Sequence, residues 1–230
     1  MEKLKLTEIA KIFNQEVTTE LVIESISTDS RQNSPNSLFI ALTGENFDGH
    51  NYIHKAYQNG AVACISQKPI KDLPNVIVVE NTREAMLKIA KYYKSLFNTF
   101  TVGVTGSVGK TSTKEMIYTI LQGSGKTLKT FGNLNNEIGL PKMVFMLDRT
   151  YKNAVFEMGM SDLNQIAPLS KTVSPNVGVI TNIGICHIET LKTQENILKA
   201  KLEITQGMVA DAPLVLNGDD ALLRSLELDR

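Results

Sequence analysis

The run Gly106, Ser107, Val108, Gly109, Lys110, Thr111 and Ser112 has the residue types and spacing to hold a nucleotide's phosphates. It follows the apolar stretch Thr101-Val102-Gly103-Val104-Thr105 and leads into a segment in which Met116, Ile117, Ile120 and Leu121 are expected to face one way along a helix. In that setting glycines let successive backbone N–H groups converge on phosphate oxygens, and the helix N-terminus adds partial positive charge. Lys110 can reach the outer phosphates of ATP, and the Thr111 hydroxyl can hold Mg²⁺. The six-spaced Walker pattern would need glycine where Val104 stands, so the loop is a shorter one that begins at Gly106. A second Gly-Lys-Thr, at Gly125-Lys126-Thr127, follows a helix instead of opening one. The negative end of that helix would repel phosphate, so this copy reads as an ordinary connection.

Three more side chains stand where chemistry is expected. Glu157 lies at the end of the apolar run Ala154 to Met158, and ligands of open α/β sheets sit at strand ends, which favours a Mg²⁺ ligand over a surface carboxylate. His187 alone would more often be a satisfied core or surface histidine, and only its place after another such run, Val177 to Thr181, makes it a candidate. Lys201 shares a helical face with Ile197, Ile204 and Met208. A lysine so placed either snorkels outward or is desolvated, and desolvation lowers its pKa and exposes a neutral amine that can react with CO₂.

The elements that must position these groups can be read from periodicity. Before residue 98, strands are expected at Leu38 to Leu42, Ala61 to Ile65 and Asn75 to Val79. Helices are expected at Tyr52 to Asn59, closed by Gly60, and after the N-cap Asn81, with Met86, Ile89, Ala90, Tyr93 and Phe97 as the buried stripe. From residue 99 the pattern is strand Phe100 to Val104, helix Lys110 to Gln122, strand Ala154 to Met158, strand Val177 to Thr181, helix Gln194 to Met208 and strand Leu214 to Leu216. The expectation is an α/β protein: a small domain over residues 1–98, then a phosphate-loop domain with a parallel sheet over residues 99–230. Arg230 comes soon after a strand and the turn Asn217-Gly218-Asp219-Asp220, so the second domain is expected to be incomplete and the chain truncated.

Composition limits the partners. With 24 basic and 24 acidic residues and no Lys/Arg block, the positive field that nucleic acid or a membrane surface demands is missing. Small-molecule partners are expected, with neither nucleic acid nor membrane insertion. The longest uncharged stretch, Thr172 to Ile188, holds Pro175, Asn176, Gly178, Asn182 and Gly184, which excludes a membrane helix. Cys64 and Cys186 lack metal-ligand spacing, and a reducing cytoplasm is expected.

Taken in order, Thr105-Gly106-Ser107-Val108-Gly109-Lys110-Thr111, the run Gly132-Asn133-Leu134-Asn135-Asn136-Glu137-Ile138-Gly139-Leu140-Pro141, Glu157-Met158-Gly159, Asn182-Ile183-Gly184, His187-Ile188-Glu189 and Ala200-Lys201-Leu202-Glu203-Ile204 resemble the Mur ligases of peptidoglycan synthesis. Thr28-Asp29-Ser30-Arg31, Leu38-Phe39-Ile40-Ala41-Leu42 and Asp48-Gly49-His50 resemble the family's N-terminal UDP-sugar-binding domain. The Asn-Asn-Glu-Ile-Gly-Leu-Pro run points to the branch that adds D-alanyl-D-alanine to a UDP-N-acetylmuramoyl-tripeptide. The sequence departs from the family pattern at Val108, at Ile185-Cys186 and at Asn36-Ser37, none of them a proposed ligand.

The resemblance implies an ADP-forming amide ligase working through an acyl phosphate, with ATP and Mg²⁺ as cofactors. It implies that Ser30, Arg31, Asp48, Gly49, His50, Asn135 and Asn136 bind the UDP substrate, and that Thr111, Glu157, His187 and a carbamylated Lys201 hold Mg²⁺, His187 at a second ion. Lys110, Lys201 and His187 are the expected catalytic residues. Whether Asp48 and His50 touch uridine or shape a turn stays open, and His54 is expected to be solvated. The family's third domain helps to bind the amine substrate, so the chain alone is expected to have little ligase activity; it is expected to be a monomer. Another Mur ligase, a folylpolyglutamate synthetase-like ligase and a non-catalytic nucleotide-binding fragment are the alternatives.

Overall fold

A strand joined to the next through a helix re-enters its sheet in the same direction, so repeated strand–helix patterning leads to parallel sheets. The computed structural model of the chain describes residues 1–226. It divides into two units, Met1–Tyr92 and Tyr93–Arg230.

The first unit contains β1 (Leu4–Lys5), α1 (Leu6–Lys11), β2 (Val22–Ile23), β3 (Ser25–Ser27), β4 (Ser37–Ile40), β5 (Thr43–Gly44), β6 (Phe47–Asp48), α2 (Ile53–Gln58), β7 (Ala61–Ser66) and β8 (Val76–Val78), and α3 (Thr82–Ser95) begins in it. Strands β3, β4, β7 and β8 form a four-stranded parallel sheet in that order, while β1 with β2 and β5 with β6 pair antiparallel. Phe39, Ala41, Ile53, Ala56, Ala61 and Cys64 make one core cluster. Burial there pushes the Cys64 thiol up to about 12, which leaves it unreactive. Gly60 closes α2 at φ 109°, as its position in the sequence demands.

Asn81 caps α3, its Oδ1 accepting from the Arg83 and Glu84 N–H groups at 2.9 and 3.3 Å. The expected stripe, Met86, Ile89, Ala90, Tyr93 and Phe97, is buried. The division between the units falls inside this helix. From Tyr93 on, its last turn belongs to the second unit, where the Tyr93 hydroxyl donates to Leu147 O at 2.6 Å and its ring meets Phe145 edge-on.

The second unit contains β9 (Phe100–Thr105), α4 (Lys110–Gln122), β10 (Thr127–Lys129), α5 (Gly139–Val144), β11 (Asn153–Glu157), α6 (Ile166–Val173), β12 (Val177–Ile180), α7 (Ile188–Leu191), α8 (Gln194–Leu202), β13 (Leu214–Leu216) and α9 (Ala221–Arg224). Its parallel sheet has the order β10-β11-β9-β12-β13. The chain enters at the central strand, goes out to the edge strand β10, returns to β11 beside β9, then crosses to β12 and β13 on the other side. The C-terminal end of β9 is therefore a topological switch point, where such sheets open a crevice for ligands. Among the described residues no helix is long and apolar enough to cross a membrane.

Two expectations about helices need correcting. Met116 and Ile120 do not share the inward face of α4: they are 67% and 75% exposed, while Ile117, Tyr118 and Leu121 pack on Val102, Val104 and Val155. The sheet covers only one stripe of the helix, and positions 116 and 120 lie off it. The helix expected over Gln194 to Met208 ends at Leu202, continues as a 3₁₀ turn over Glu203–Gly207, and leaves Met208 extended. Gly207 lets this turn lie directly against α6, since a Cβ there would lie 2.1 Å from the Ser170 carbonyl carbon.

Candidate functional site

Between β9 and α4 the loop turns through two glycines with positive φ, Gly106 at 150° and Gly109 at 80°, the latter serving as the N-cap of α4. The segment after β12 holds this turn from the side. Asn182 accepts from Ser107 N through its carbonyl and from Val108 N through Oδ1, both at 3.1 Å. Ser107 Oγ accepts from Gly184 N at 2.8 Å, and the Thr181 hydroxyl donates to Val108 O at 2.6 Å. Two loop amides are thus committed to the scaffold. The amides that helix geometry leaves for an anion are those of the first turn of α4, which begins at Lys110. Lys110 Nζ donates to Gly106 O at 2.8 Å and Ser107 O at 3.3 Å, curled over the loop that it would share with phosphate.

At the end of β11 the Glu157 carboxylate is 3% exposed and held on both oxygens. Thr111 Oγ1 donates to Oε2 at 3.1 Å, and Asn135 Nδ2 donates to Oε1 at 3.0 Å. A hydroxyl and a carboxylate side by side are hard oxygen donors of the kind Mg²⁺ takes, usually one or two from protein with water and phosphate completing the shell. The residues present therefore fit that ion. Among the described residues no group of three His, Cys, Asp or Glu side chains is gathered for a metal.

A cavity of about 310 Å³ is lined by Gly106, Ser107, Lys110, Asn135, Asn136, Gly159, His187 and Lys201, among others, a size within the range of small-molecule sites. Asn136 contributes from a cap, its Oδ1 accepting from Gly139 N at 2.8 Å at the start of α5. His187 is exposed, in left-handed backbone at φ 64°, at the N-cap of α7. Lys201 is only 2% exposed, between the buried Ile197 and Ile204. Burial, and then the charge of Lys110, bring its pKa down to about 8, with Cys186 opposing.

The other candidates belong to the first unit. Ser30 is buried and its carbonyl accepts from Asn59 Nδ2 at 2.7 Å. The exposed Arg31 guanidinium forks onto Asp29 at 3.0 and 2.8 Å, which raises its pKa. Gly49 fits against backbone, since a Cβ would lie 2.6 Å from Leu42 O. Both ring nitrogens of His50 are used internally: Nδ1 lies 2.5 Å from Asp48 Oδ1, and Nε2 accepts from Gln67 N at 3.0 Å. Asp48 also accepts from His50 N, and these bonds hold its pKa down. This pair shapes the turn. His54 is exposed beside Asp72, at 2.7 Å.

Sequence reasoning overlooked Lys114. It is 2% exposed, donates to Thr130 O at 2.9 Å and stands 3.8 Å from Glu157 Oε2. Its signal was the one used for Lys201, a lysine on an apolar helical stripe, here with Ile117 and Leu121. Glu203 was also overlooked: this buried carboxylate accepts from the N–H groups of Asn164, Ile166 and Ala167 at 2.5, 3.0 and 3.1 Å and caps α6.

Residues 104–229 match the family model described as Mur ligase middle domain, and residues 22–94 that described as Mur ligase family, catalytic domain. UDP-N-acetylmuramoyl-tripeptide--D-alanyl-D-alanine ligase of Bacillus subtilis (strain 168) is 41% identical over 209 residues, which are 90% of this chain and 46% of that protein. The crystal structure of MurF from Acinetobacter baumannii matches with a TM-score of 0.89 at 32% identity, covering 97% of this chain and 50% of that one. MurF ligase from Thermotoga maritima, solved in complex with ADP, matches with a TM-score of 0.82 at 35% identity, over 87% and 47% of the two chains. The chain spans about half the length of the curated relatives it matches. A glycine turn at a switch point, a buried carboxylate at the next strand end and a family model that runs through both place the chain in the Mur ligase family.

Proposed function

We propose that the chain supplies the phosphate loop and the UDP-substrate-binding unit of an ATP-dependent ligase that joins D-alanyl-D-alanine to a UDP-N-acetylmuramoyl-tripeptide. The observation that carries this reading is the cavity in which Gly106, Ser107 and Lys110 meet Asn135, His187 and Lys201, in a chain 41% identical to a ligase of that name. A carboxylate is a poor acyl donor. Transfer of the γ-phosphoryl group of ATP to the tripeptide carboxylate gives an acyl phosphate and ADP, and attack of the dipeptide amine on the acyl carbon forms the amide and releases phosphate. The first-turn amides of α4 and Lys110 would bind the polyphosphate and offset charge on the transferring group. Thr111, Glu157, His187 and a carbamylated Lys201 would hold Mg²⁺, which supplies further neutralisation of the phosphate charge. Asn135 and Asn136 would orient the peptide carboxylate beside that group, and Ser30, Arg31, Asp48, Gly49 and His50 would form or shape the UDP subsite.

The test is equilibrium binding by the 230-residue chain. The expected result is saturable binding of a non-hydrolysable ATP analogue in the presence of Mg²⁺, together with binding of UDP-N-acetylmuramoyl-tripeptide and none of a folate. A chain that binds neither the nucleotide nor the UDP-linked tripeptide overturns the reading.

A further inference from the structure

We propose that Lys114 is a positioning residue that fixes the Glu157 carboxylate for a divalent cation; this rests on the reading of Glu157 as a Mg²⁺ ligand. Thr111 and Lys114 lie one turn apart on α4, and both approach Glu157 Oε2, at 3.1 and 3.8 Å. Asn135 holds the other oxygen. Lys114 does not line the cavity and has its own anchor, because its Nζ donates to Thr130 O at 2.9 Å. The Thr130 hydroxyl accepts from Glu157 N at 2.9 Å, so one residue fixes both the amine and the backbone of the carboxylate it faces. Glu115 Oε1 lies 3.4 Å from the same amine, and Lys129 pairs with its other oxygen.

An ammonium buried to 2% is expensive to place, and an apolar side chain at such a position is often as stable or more so. A place on the same helical stripe as Ile117 and Leu121 therefore does not account for a lysine at this point. Its electrostatic relation to Glu157 does. A buried carboxylate without a fixed counter-charge would turn away or take up a proton. Lys114 is 2% exposed and does not line the cavity, so it competes with no ligand there.

The experiment uses the 230-residue chain and measures binding of a fluorescent, non-hydrolysable ATP analogue as a function of Mg²⁺, with a metal-free series alongside. Lys114→Met keeps the stem and removes the charge. It is expected to leave metal-free nucleotide affinity unchanged and to raise the Mg²⁺ half-saturation roughly 10- to 100-fold, the usual cost of losing a partner that orients a metal ligand. Lys114→Arg is expected to recover part of that loss. Should Lys114→Met not fold by circular dichroism, Lys114→Gln, which can still donate to Thr130 O, takes its place in the same titration. Equal loss of nucleotide binding with and without metal overturns the proposal, since a packing role alone does that. Glu157→Gln separates the two readings. If it abolishes the Mg²⁺ dependence while Lys114→Met preserves it, only the role of Lys114 falls; if Glu157→Gln preserves it too, the Glu157 reading falls and the Lys114 role with it.

Discussion

A Cβ on Gly106 would lie 1.8 Å from Thr181 Oγ1, the hydroxyl that donates to Val108 O and ties the phosphate loop to the end of β12. Gly106 is also at φ 150°, where an L side chain is strained. Gly106→Ala is expected to cost about 2–4 kcal/mol of stability in urea unfolding and to weaken nucleotide binding in parallel. Thr181→Ala on that background removes the nearest atom but not the strain, so it should restore only part of the loss. Wild-type stability in Gly106→Ala would contradict the close approach.

Lys110 makes its two hydrogen bonds to carbonyls of its own loop. Lys110→Met should therefore leave the unfolding midpoint almost unchanged. A charge-assisted bond to phosphate is worth about 1.5–3 kcal/mol, so the affinity for ATP analogues should fall roughly 10- to 100-fold. Calorimetric titration of both proteins reads the difference, and equal affinities would remove Lys110 from the phosphate site.

Lys201 gives a pH dependence whose sign follows from its pKa of about 8, lowered by burial from 10.5. Between those values the unfolded chain carries a proton that the native chain does not, so this residue makes stability rise with pH across the window. Below pH 8 the native state bears the full cost of a buried ammonium. Relative to Lys201→Met, which has no ammonium to bury, the wild type should gain about 3 kcal/mol of unfolding free energy from pH 8 to 10.5, so its disadvantage narrows as pH rises. A flat difference would mean that the amine is solvated. With ¹³C-bicarbonate, a carbamate signal should strengthen above pH 8 and vanish in Lys201→Met.

Glu203 satisfies three backbone N–H groups at the start of α6, beside the cavity-lining Ser161 and Gln165. Glu203→Ala orphans all three, and its expected cost is about 2–4 kcal/mol. Limited proteolysis should then cut between residues 159 and 165 well before the remainder of the unit opens. Cleavage at the wild-type rate would show that the cap is dispensable.

Arg31 and His50 should separate stability from binding in the first unit. The Arg31–Asp29 pair is exposed, and solvent-screened pairs of this kind add little to stability, so Arg31→Ala should unfold as the wild type does while losing affinity for the UDP-linked tripeptide. His50→Ala leaves Gln67 N without its acceptor and removes the ring's contact with Asp48, and should lower the melting temperature clearly. Unfolding and binding measured on the same samples decide between the two patterns.

Much of the second unit could be read from local order. The limits of α4 and β13 match the sequence reading because a glycine turn opens the helix and short apolar runs mark the strands. Gly125-Lys126-Thr127 is the turn into β10, with Gly125 at φ 148°. What escaped were features that depend on which side of an element the sheet covers. Met116 and Ile120 fit an apolar face as well as Ile117 and Leu121 do, and only the packing partner decides. Helix α5 escaped because Gly139 and Pro141 read locally as breakers, although Asn136 caps its start and proline is tolerated in a first turn.

By itself the sequence determined the phosphate loop, the alternation that makes a parallel sheet, and the chemistry available at Glu157, His187 and Lys201, because these depend on residue type and on spacing along the chain. Only tertiary structure decided that Asn182 takes two of the loop amides, that His50 uses both ring nitrogens within its own unit, and that Lys114 stands 3.8 Å from Glu157. Apart from the local contact of His50 with Asp48, each of those joins residues at least 17 positions apart. Burial and hydrogen bonding are settled by which surfaces meet, and no local pattern records that.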